Sequence, residues 1–216
     1  MTNITIKTDF NEIFIATKEA LEKLIACGAD NLHVEVRNHN GILYLSGKEI
    51  SNLSESVVTL DDVFEAIKGT SMSVNCELKE GWLTSRVYKL AEKYNMLDRL
   101  ILSGVIVPDE LEYIDTVQIF FSSDFFLENG VDIKEKPHSA KDLLAMCGER
   151  FKKCGIYFDE AELTCELLKY FTENNVLLYV YTNDNEAVKK LIDASVHSIN
   201  TRRVDFALEY RKGLSG

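Results

Sequence analysis

Short β-branched and aromatic runs alternate with windows of helical periodicity along the whole chain. Strands joined through helices pair in parallel, so this alternation constrains the fold more than any other feature. The run Ile4-Thr5-Ile6-Lys7-Thr8 leads into a predicted helix from Asn11 to Ala26, whose Ile13, Ala16, Ala20, Leu21 and Leu24 form one apolar stripe and which Gly28 ends. Leu32 to Arg37 reads as the second strand. Asn38-His39-Asn40-Gly41 has turn chemistry, so Ile42 to Leu45 should return against that strand as the only antiparallel piece.

A short helix is expected from Leu60 to Lys68-Gly69, then a strand from Ser73 to Leu78. Helices Thr84 to Tyr94, Asp109 to Ile114, Ser139 to Lys152, Ala161 to Asn174, Glu186 to Asp193 and Val204 to Lys212 then alternate with strands Leu100 to Val105, Val117 to Phe121, Ile156 to Phe158, Leu177 to Tyr181 and Ser198 to Asn200. Without the hairpin partner this makes eight strands and eight helices. The expected fold is a (β/α)8 barrel, one domain over residues 1–216, with a β-hairpin after the second strand.

Composition excludes several classes. With 46% hydrophobic and 27% charged residues the chain can bury a large core, and disorder is not expected. The longest apolar stretches, Val176 to Val180 and Leu100 to Val107, fall far short of the ~20 residues a membrane helix needs. The start Met1-Thr2-Asn3-Ile4-Thr5 lacks a signal-peptide layout, so a cytoplasmic protein is expected. A formal net charge of -11, with no Lys/Arg run interleaved with aromatics, argues against nucleic acid and anionic membranes as partners. Cys27, Cys76, Cys147, Cys154 and Cys165 have no metal-site spacing and read as reduced, mostly buried thiols.

Specific motifs carry a family resemblance. Val74-Asn75-Cys76-Glu77-Leu78-Lys79, a helix, and then Tyr94-Asn95-Met96-Leu97-Asp98-Arg99-Leu100-Ile101-Leu102-Ser103 resemble the "N-x-E-x-K, helix, Y-G-L-x-D-R-V-x-x-S-S-F" of the glycerophosphodiester phosphodiesterase family. Gly28 to Arg37 is similar to its "G-A-D-x-I-E-x-D-V-R", Val176 to Thr182 to its "V-x-V-W-T", Asn185 to Asp193 to its "E-x-A-x-x-x-L", and Asn200 to Leu208 to its "I-T-D-R-P-D-x-A-L". The resemblance spans essentially the whole chain. It implies a barrel that hydrolyses glycerophosphodiesters with a divalent cation (Mg, Ca or Mn) and two acid/base histidines.

The departures bear on function. Where the family has H-R-G after its first strand this chain has Lys7-Thr8-Asp9-Phe10, and Ser46-Gly47 stands where the second histidine is expected. The acidic pair E-x-D becomes His33-x-Glu35, the aspartate of T-D-R-P becomes Arg202 and its proline Val204. The insertion that follows the second histidine is reduced to Lys48 to Thr59.

Barrel strands present functional groups at their C-terminal ends, so Lys7, His33, Glu35, Glu77, Lys79, Ser103, Asp159, Thr182 and Arg202 should surround one mouth. His33, Glu35 and Glu77 form a candidate ligand set for Mg²⁺, Ca²⁺ or Mn²⁺; the competing expectation puts Lys7 or Lys79 in the cation's place. Lys7, His33 and Lys79 are the candidate acid/base groups. Trp82 at the rim, Tyr181 in place of the family's tryptophan, and Arg202 are the candidate binding residues. His39, His138 and His197 read as surface residues, and Asp124 to Lys136 and Asp159 to Glu162 as ordinary helix N-terminal charges with Asp159 as an N-cap.

Three functional readings follow. The first is a divergent, catalytically impaired relative whose mouth binds a small anionic, phosphorylated or polyol ligand. The second is a working phosphodiesterase with a rearranged metal and acid/base site. The third is a structural or regulatory barrel acting through its outer surface or a dimer.

Overall fold

The computed structural model describes residues 1–7, 18–51, 57–114, 117–148 and 153–214. Within them lie nine strands: β1 (Asn3–Lys7), β2 (Asn31–His39), β3 (Ile42–Leu45), β4 (Ser73–Leu78), β5 (Leu100–Gly104), β6 (Gln118–Phe121), β7 (Lys153–Asp159), β8 (Leu177–Tyr181) and β9 (Ser198–Thr201). The hydrogen-bonded order is β1-β9-β8-β7-β6-β5-β4-β2, and β1 pairs with β2 to close the ring. Every pairing within the ring is parallel, so the fold is a (β/α)8 barrel. β3 lies outside the ring, antiparallel to the end of β2 from Val36 to His39, as the turn at Asn38 to Gly41 predicts.

Among the described residues eight α-helices pack around it: α1 (Lys18–Ile25), α2 (Leu60–Ile67), α3 (Thr84–Lys93), α4 (Ser123–Glu128), α5 (Pro137–Gly148), α6 (Cys165–Glu173), α7 (Asn185–Asp193) and α8 (Val204–Gly213). Their number is as expected but not their distribution. The predicted helix Asp109 to Ile114 is instead a 3-10 turn from Pro108 to Tyr113, and two helices, α4 and α5, follow β6. The predicted helix start at Ala161 is also displaced. Asp159 accepts from the Ala161 amide and caps a 3-10 turn, whereas α6 begins under the Thr164 hydroxyl, which accepts from the Leu167 amide. The first part of the predicted Asn11 to Ala26 helix, the Thr8-Asp9-Phe10 segment, the end of the Ser139 to Lys152 helix and part of Lys48 to Thr59 lie outside the described residues.

Strand alternation sorts the side chains into two cores. Ile4, Leu32, Val34, Val74, Cys76, Leu102, Ile119, Ile156, Leu178 and Ile199 face the helices in one large apolar cluster. Inside the barrel Ile101, Phe120 and Tyr179 pack together, with Tyr157 and Leu177 against them. Phe120 stacks on Tyr179 with ring centroids 5.1 Å apart. A Cβ at Gly155 would lie 2.5 Å from both Phe120 Cε1 and the Leu177 carbonyl, so glycine is what lets β7 pass the interior ring.

The thiols are all free. Cys76 is buried, Cys27, Cys147 and Cys154 are half-buried and Cys165 is exposed, so "mostly buried" holds of Cys76 alone. No described helix is long and apolar enough to cross a membrane. His39 and His138 do lie at the surface or near it, but His197 is half-buried just before β9, where its ring packs on Phe120 and its Nε2 accepts from the Gln118 amide 2.8 Å away. Burial, and then the Lys153 charge, depress its pKa to about 4.

Two outcomes follow for stability. Gly155→Ala should cost about 2 kcal/mol by overpacking the barrel interior, read as a lower urea midpoint with unchanged slope. An unfolded histidine binds its proton near pH 6.5 and the folded His197 near 4, so the unfolded chain holds more protons between these values. The stability linked to His197 is therefore complete above pH 6.5 and lost as pH falls toward 4, by about 2 kcal/mol after allowing for solvent screening. Urea titrations of native chain and His197→Gln over this range check it; equal pH slopes would refute it.

Candidate functional site

The parity that places apolar residues outside places His33 and Glu35 of β2, Glu77 of β4, Ser103 of β5 and Tyr157 of β7 inside. Register brings them to one height: Glu35 pairs with Glu77, and Glu77 with Ser103. β5 can approach β4 so closely because Gly104 sits at φ 86°, where a Cβ would lie 2.4 Å from the Leu78 carbonyl and 3.1 Å from Glu77 Cγ.

Glu77 is the hub. Its Oε2 lies 2.9 Å from Nε2 of the fully buried His33, and its Oε1 accepts from Lys79 Nζ at 2.8 Å. Lys79 also donates to Glu35 Oε1 at 3.2 Å, so one ammonium bridges two carboxylates. Burial works to raise the Glu77 pKa. The hydrogen bonds and charges of His33 and Lys79 outweigh it and hold this carboxyl well below the usual range. For Lys79, burial opposes the charge, but Glu77 and then Glu35 more than compensate and raise its pKa.

A cavity of about 320 Å³ opens beside this cluster. It is lined by Glu77, Lys79 and Ser103, by Gly104 to Ile106, by Ser122, Asp124, Phe125 and Glu128, and by Tyr157. Burial, and the nearby Glu77 charge after it, push the Tyr157 phenol up, so it stays protonated as a hydrogen-bond donor.

Of the residues expected around the mouth, Glu77, Lys79 and Ser103 line this cavity, while His33 and Glu35 join the cluster without lining it. Thr182 is buried and its hydroxyl accepts from the Asp184 amide, and Asp159 is spent on its turn. Tyr181 OH accepts from the Asn183 amide 2.6 Å away, and the exposed Arg202 donates its backbone N–H to Asn183. Trp82 stands 63% exposed at the rim with φ 64°. Lys7 ends β1 in register with His33, and the expectation for its ammonium falls on a side chain outside what is described.

Beyond Leu78 and Gly104 to Ile106, which adjoin expected residues, the cavity residues not foreseen are Ser122, Asp124, Phe125, Glu128 and Tyr157. Tyr157 was legible in principle, since Gly155, Tyr157 and Asp159 alternate with the apolar Ile156 and Phe158. Asp124 and Glu128 read as solvated helix charges, yet α4 turns both toward the cavity.

The donor set does not suit a divalent cation. With both Glu77 oxygens engaged and the Lys79 ammonium between the carboxylates, His33, Glu35 and Glu77 do not converge on one open point, and the described residues contain no group of three His, Cys, Asp or Glu arranged to hold a metal. This arrangement does not fit the ion that the resemblance implies. Lys79 supplies the positive charge there.

No protein-family model and no curated protein matches the sequence. Solved structures do. The chain is similar to a glycerophosphodiester phosphodiesterase from Thermotoga maritima, at 19% identity over 98% of this chain and 99% of that one, with a TM-score of 0.71. It is similar also to a phosphodiesterase from Oleispira antarctica in complex with the product sn-glycerol-3-phosphate, at 13% identity, 100% and 98% coverage and a TM-score of 0.70. The dihydropteroate synthase of Yersinia pestis shares the fold at 10% identity, 99% and 93% coverage and a TM-score of 0.65. These likenesses establish the barrel along its full length, on an architecture that serves unrelated chemistries.

Removing Lys79 tests the cluster. Lys79→Met should destabilise the chain by about 2–4 kcal/mol by leaving two partly buried carboxylates facing each other, and adding Glu77→Gln should recover part of the loss. Urea unfolding of the two single variants and the double variant gives the coupling; additive losses would mean that the bridge carries no energy. The contribution of the depressed Glu77 is present above the ordinary carboxylate range and disappears as pH falls below it.

Proposed function

We propose that this chain is a divergent relative of the glycerophosphodiester phosphodiesterases that is impaired in phosphodiester hydrolysis and keeps its mouth for binding a small polyol or phosphorylated ligand. The observation that carries the reading is the closed circuit at Glu77, whose two oxygens are taken by His33 and Lys79. Cleaving a phosphodiester requires one group to activate a nucleophile and another to protonate the leaving alkoxide, and loss of either commonly costs ~10²–10⁴-fold.

Of the four histidines, His33 alone belongs to the cluster, and it is fully buried behind Glu77 rather than on the cavity wall. His39 hydrogen-bonds Asn40 in the hairpin turn, His138 is exposed in the first turn of α5, and His197 contacts Gln118 at the N-terminal ends of the strands. What remains on the wall suits hydroxyl groups and one anionic group: the Lys79 ammonium, the Tyr157 phenol and the Ser122 hydroxyl, the Ser103 hydroxyl being given to Asn75. A phosphate or a pair of vicinal hydroxyls placed against Lys79 would find donors on two sides.

Hydrolysis of glycerophosphocholine, glycerophosphoethanolamine and bis-(p-nitrophenyl) phosphate is to be measured with Mg²⁺, Ca²⁺ or Mn²⁺, in native chain and Glu77→Gln. The expected result is turnover at background in all of them, with binding of sn-glycerol-3-phosphate seen by calorimetry and lost in Lys79→Met. Metal-dependent turnover removed by Glu77→Gln would refute the impaired reading and establish the rearranged-site phosphodiesterase instead.

A further inference from the structure

Beneath the mouth, strand parity turns Thr5, Asn75 and Tyr179 toward the barrel axis, and Ser198 and Asn200 of β9 turn inward on either side of the outward-facing Ile199. Thr5, Asn75, Tyr179 and Asn200 are fully buried. Three of them carry polar atoms that close no hydrogen bond with any described residue. Asn75 Oδ1 accepts from the Ser103 hydroxyl at 2.9 Å, but its Nδ2 has no acceptor. The Tyr179 hydroxyl has no partner, and neither the nitrogen nor the oxygen of the Asn200 amide has one. Interiors pair such groups with protein or with ordered water, because an unmade hydrogen bond forfeits the whole hydration of the group.

The unpartnered atoms lie in one region. Asn200 is the ladder partner of Thr5 on one side and of Tyr181 on the other. Burial raises the Tyr179 pKa, and Asn75 and Thr5, both near its hydroxyl, pull it the other way. Thr5 is already engaged by Ser198 at 2.9 Å and by Asn31 at 3.0 Å.

The chemistry of these atoms selects their partner. The Nδ2 groups of Asn75 and Asn200 donate, Oδ1 of Asn200 accepts, and the Tyr179 phenol can do either. All are neutral, so an ion of either sign would meet groups of the wrong polarity. A partner must both donate and accept, and must fit among fully buried side chains. Water does both. Thr5, Ser103 and Ser198 take less volume than the branched aliphatic residues that usually fill a barrel, and the difference is room for it.

We infer that the barrel binds ordered water in its interior beneath the mouth, held by both ends of the Asn200 amide, by Asn75 Nδ2 and by the Tyr179 hydroxyl. This water steadies the Asn75 amide, which receives the Ser103 hydroxyl at the cavity wall. It thereby joins the mouth to the hydrogen-bonded Thr5, Asn31 and Ser198 below. The site is independent of what the mouth itself binds.

The native chain, labelled with nitrogen-15, gives the first readout. The Nδ2 protons of Asn75 and Asn200 should show cross-peaks to water of opposite sign in laboratory-frame and rotating-frame Overhauser spectra, the signature of water that tumbles with the protein. Hydroxyl protons exchanging with solvent can imitate it, so the oxygen-17 relaxation dispersion of the solvent, which does not sense proton exchange, is to be measured as well. Asn200→Leu is close in volume but neither donates nor accepts, and should lower the dispersion amplitude. Asn200→Ser keeps a hydroxyl in a larger space and should retain it.

Absence of the water cross-peak at either amide of the native chain overturns the inference, as does an undiminished amplitude in folded Asn200→Leu. If Asn200→Leu does not fold, the cross-peaks and dispersion of the native chain decide: both present support the site, and either one missing overturns it.

Discussion

Everything in this structure depends on the closure of the ring by β1, which pairs with β9 on one side and β2 on the other. An open sheet of eight parallel strands would leave unpaired backbone at two edges. Closure removes them, fixes the inward and outward sense of every residue, and brings the C-terminal ends of strands distant in sequence to one mouth. Glu35 and Glu77 lie 42 residues apart by their numbers and stand in register because β2 and β4 are ring neighbours. The bridge that Lys79 makes between them is a consequence of that closure.

The interior of the ring departs from the layers of branched aliphatic side chains that usually fill such barrels. Thr5, Asn31, His33, Asn75, Ser103, Ser198 and Asn200 are buried there. Several satisfy one another: Asn31 donates to Thr5 at 3.0 Å, Thr5 and Ser198 share a hydrogen bond at 2.9 Å, and the Ser103 hydroxyl donates to Asn75 at 2.9 Å. Polar groups in a core cost desolvation that hydrogen bonds only partly return, so such a lining is a poor way to stabilise a barrel and a good way to support a polar site above it. The apolar stabilisation comes from the outer layer, between sheet and helices.

The fold was largely legible in the sequence because strand and helix periodicities are local, and parallel closure follows from counting them. α2 illustrates how local such signals are: Thr59 accepts from the Asp62 amide and the Asp62 carboxylate accepts from that of Thr59, a capping box written in the spacing of two residues. The misreadings also have local causes. Pro108 opens a turn too tight to become an α-helix, and the Phe125-Phe126-Leu127 run among acidic residues hides a six-residue helix that no periodicity window can resolve. The site was legible only as far as the motifs ran. Glu77, Lys79 and Glu35 were identifiable as a cluster, whereas the offset of the cavity toward β5, β6 and β7 depends on where α4 places Asp124 and Glu128, a tertiary fact.

The resemblance itself divides in two. Tyr94 donates to Asp61 at 2.7 Å, and the Arg99 guanidinium gathers the carbonyls of Ile67, Lys68, Thr70 and Met72 at the end of α2. These are structural duties, with the cation placed where a helix C-terminus favours it. Agreement with a family pattern at such residues reports on the scaffold, and a chain can keep it after its chemistry has changed. The residues that would report on chemistry are those at which the sequence departs from the pattern it resembles, and by that resemblance His33 stands in an acidic position, Ser46 and Gly47 in place of a histidine, and Arg202 in place of an aspartate. The resemblance is thus carried by scaffold residues, and the mouth above them is a lysine-bridged floor under an anionic, aromatic wall.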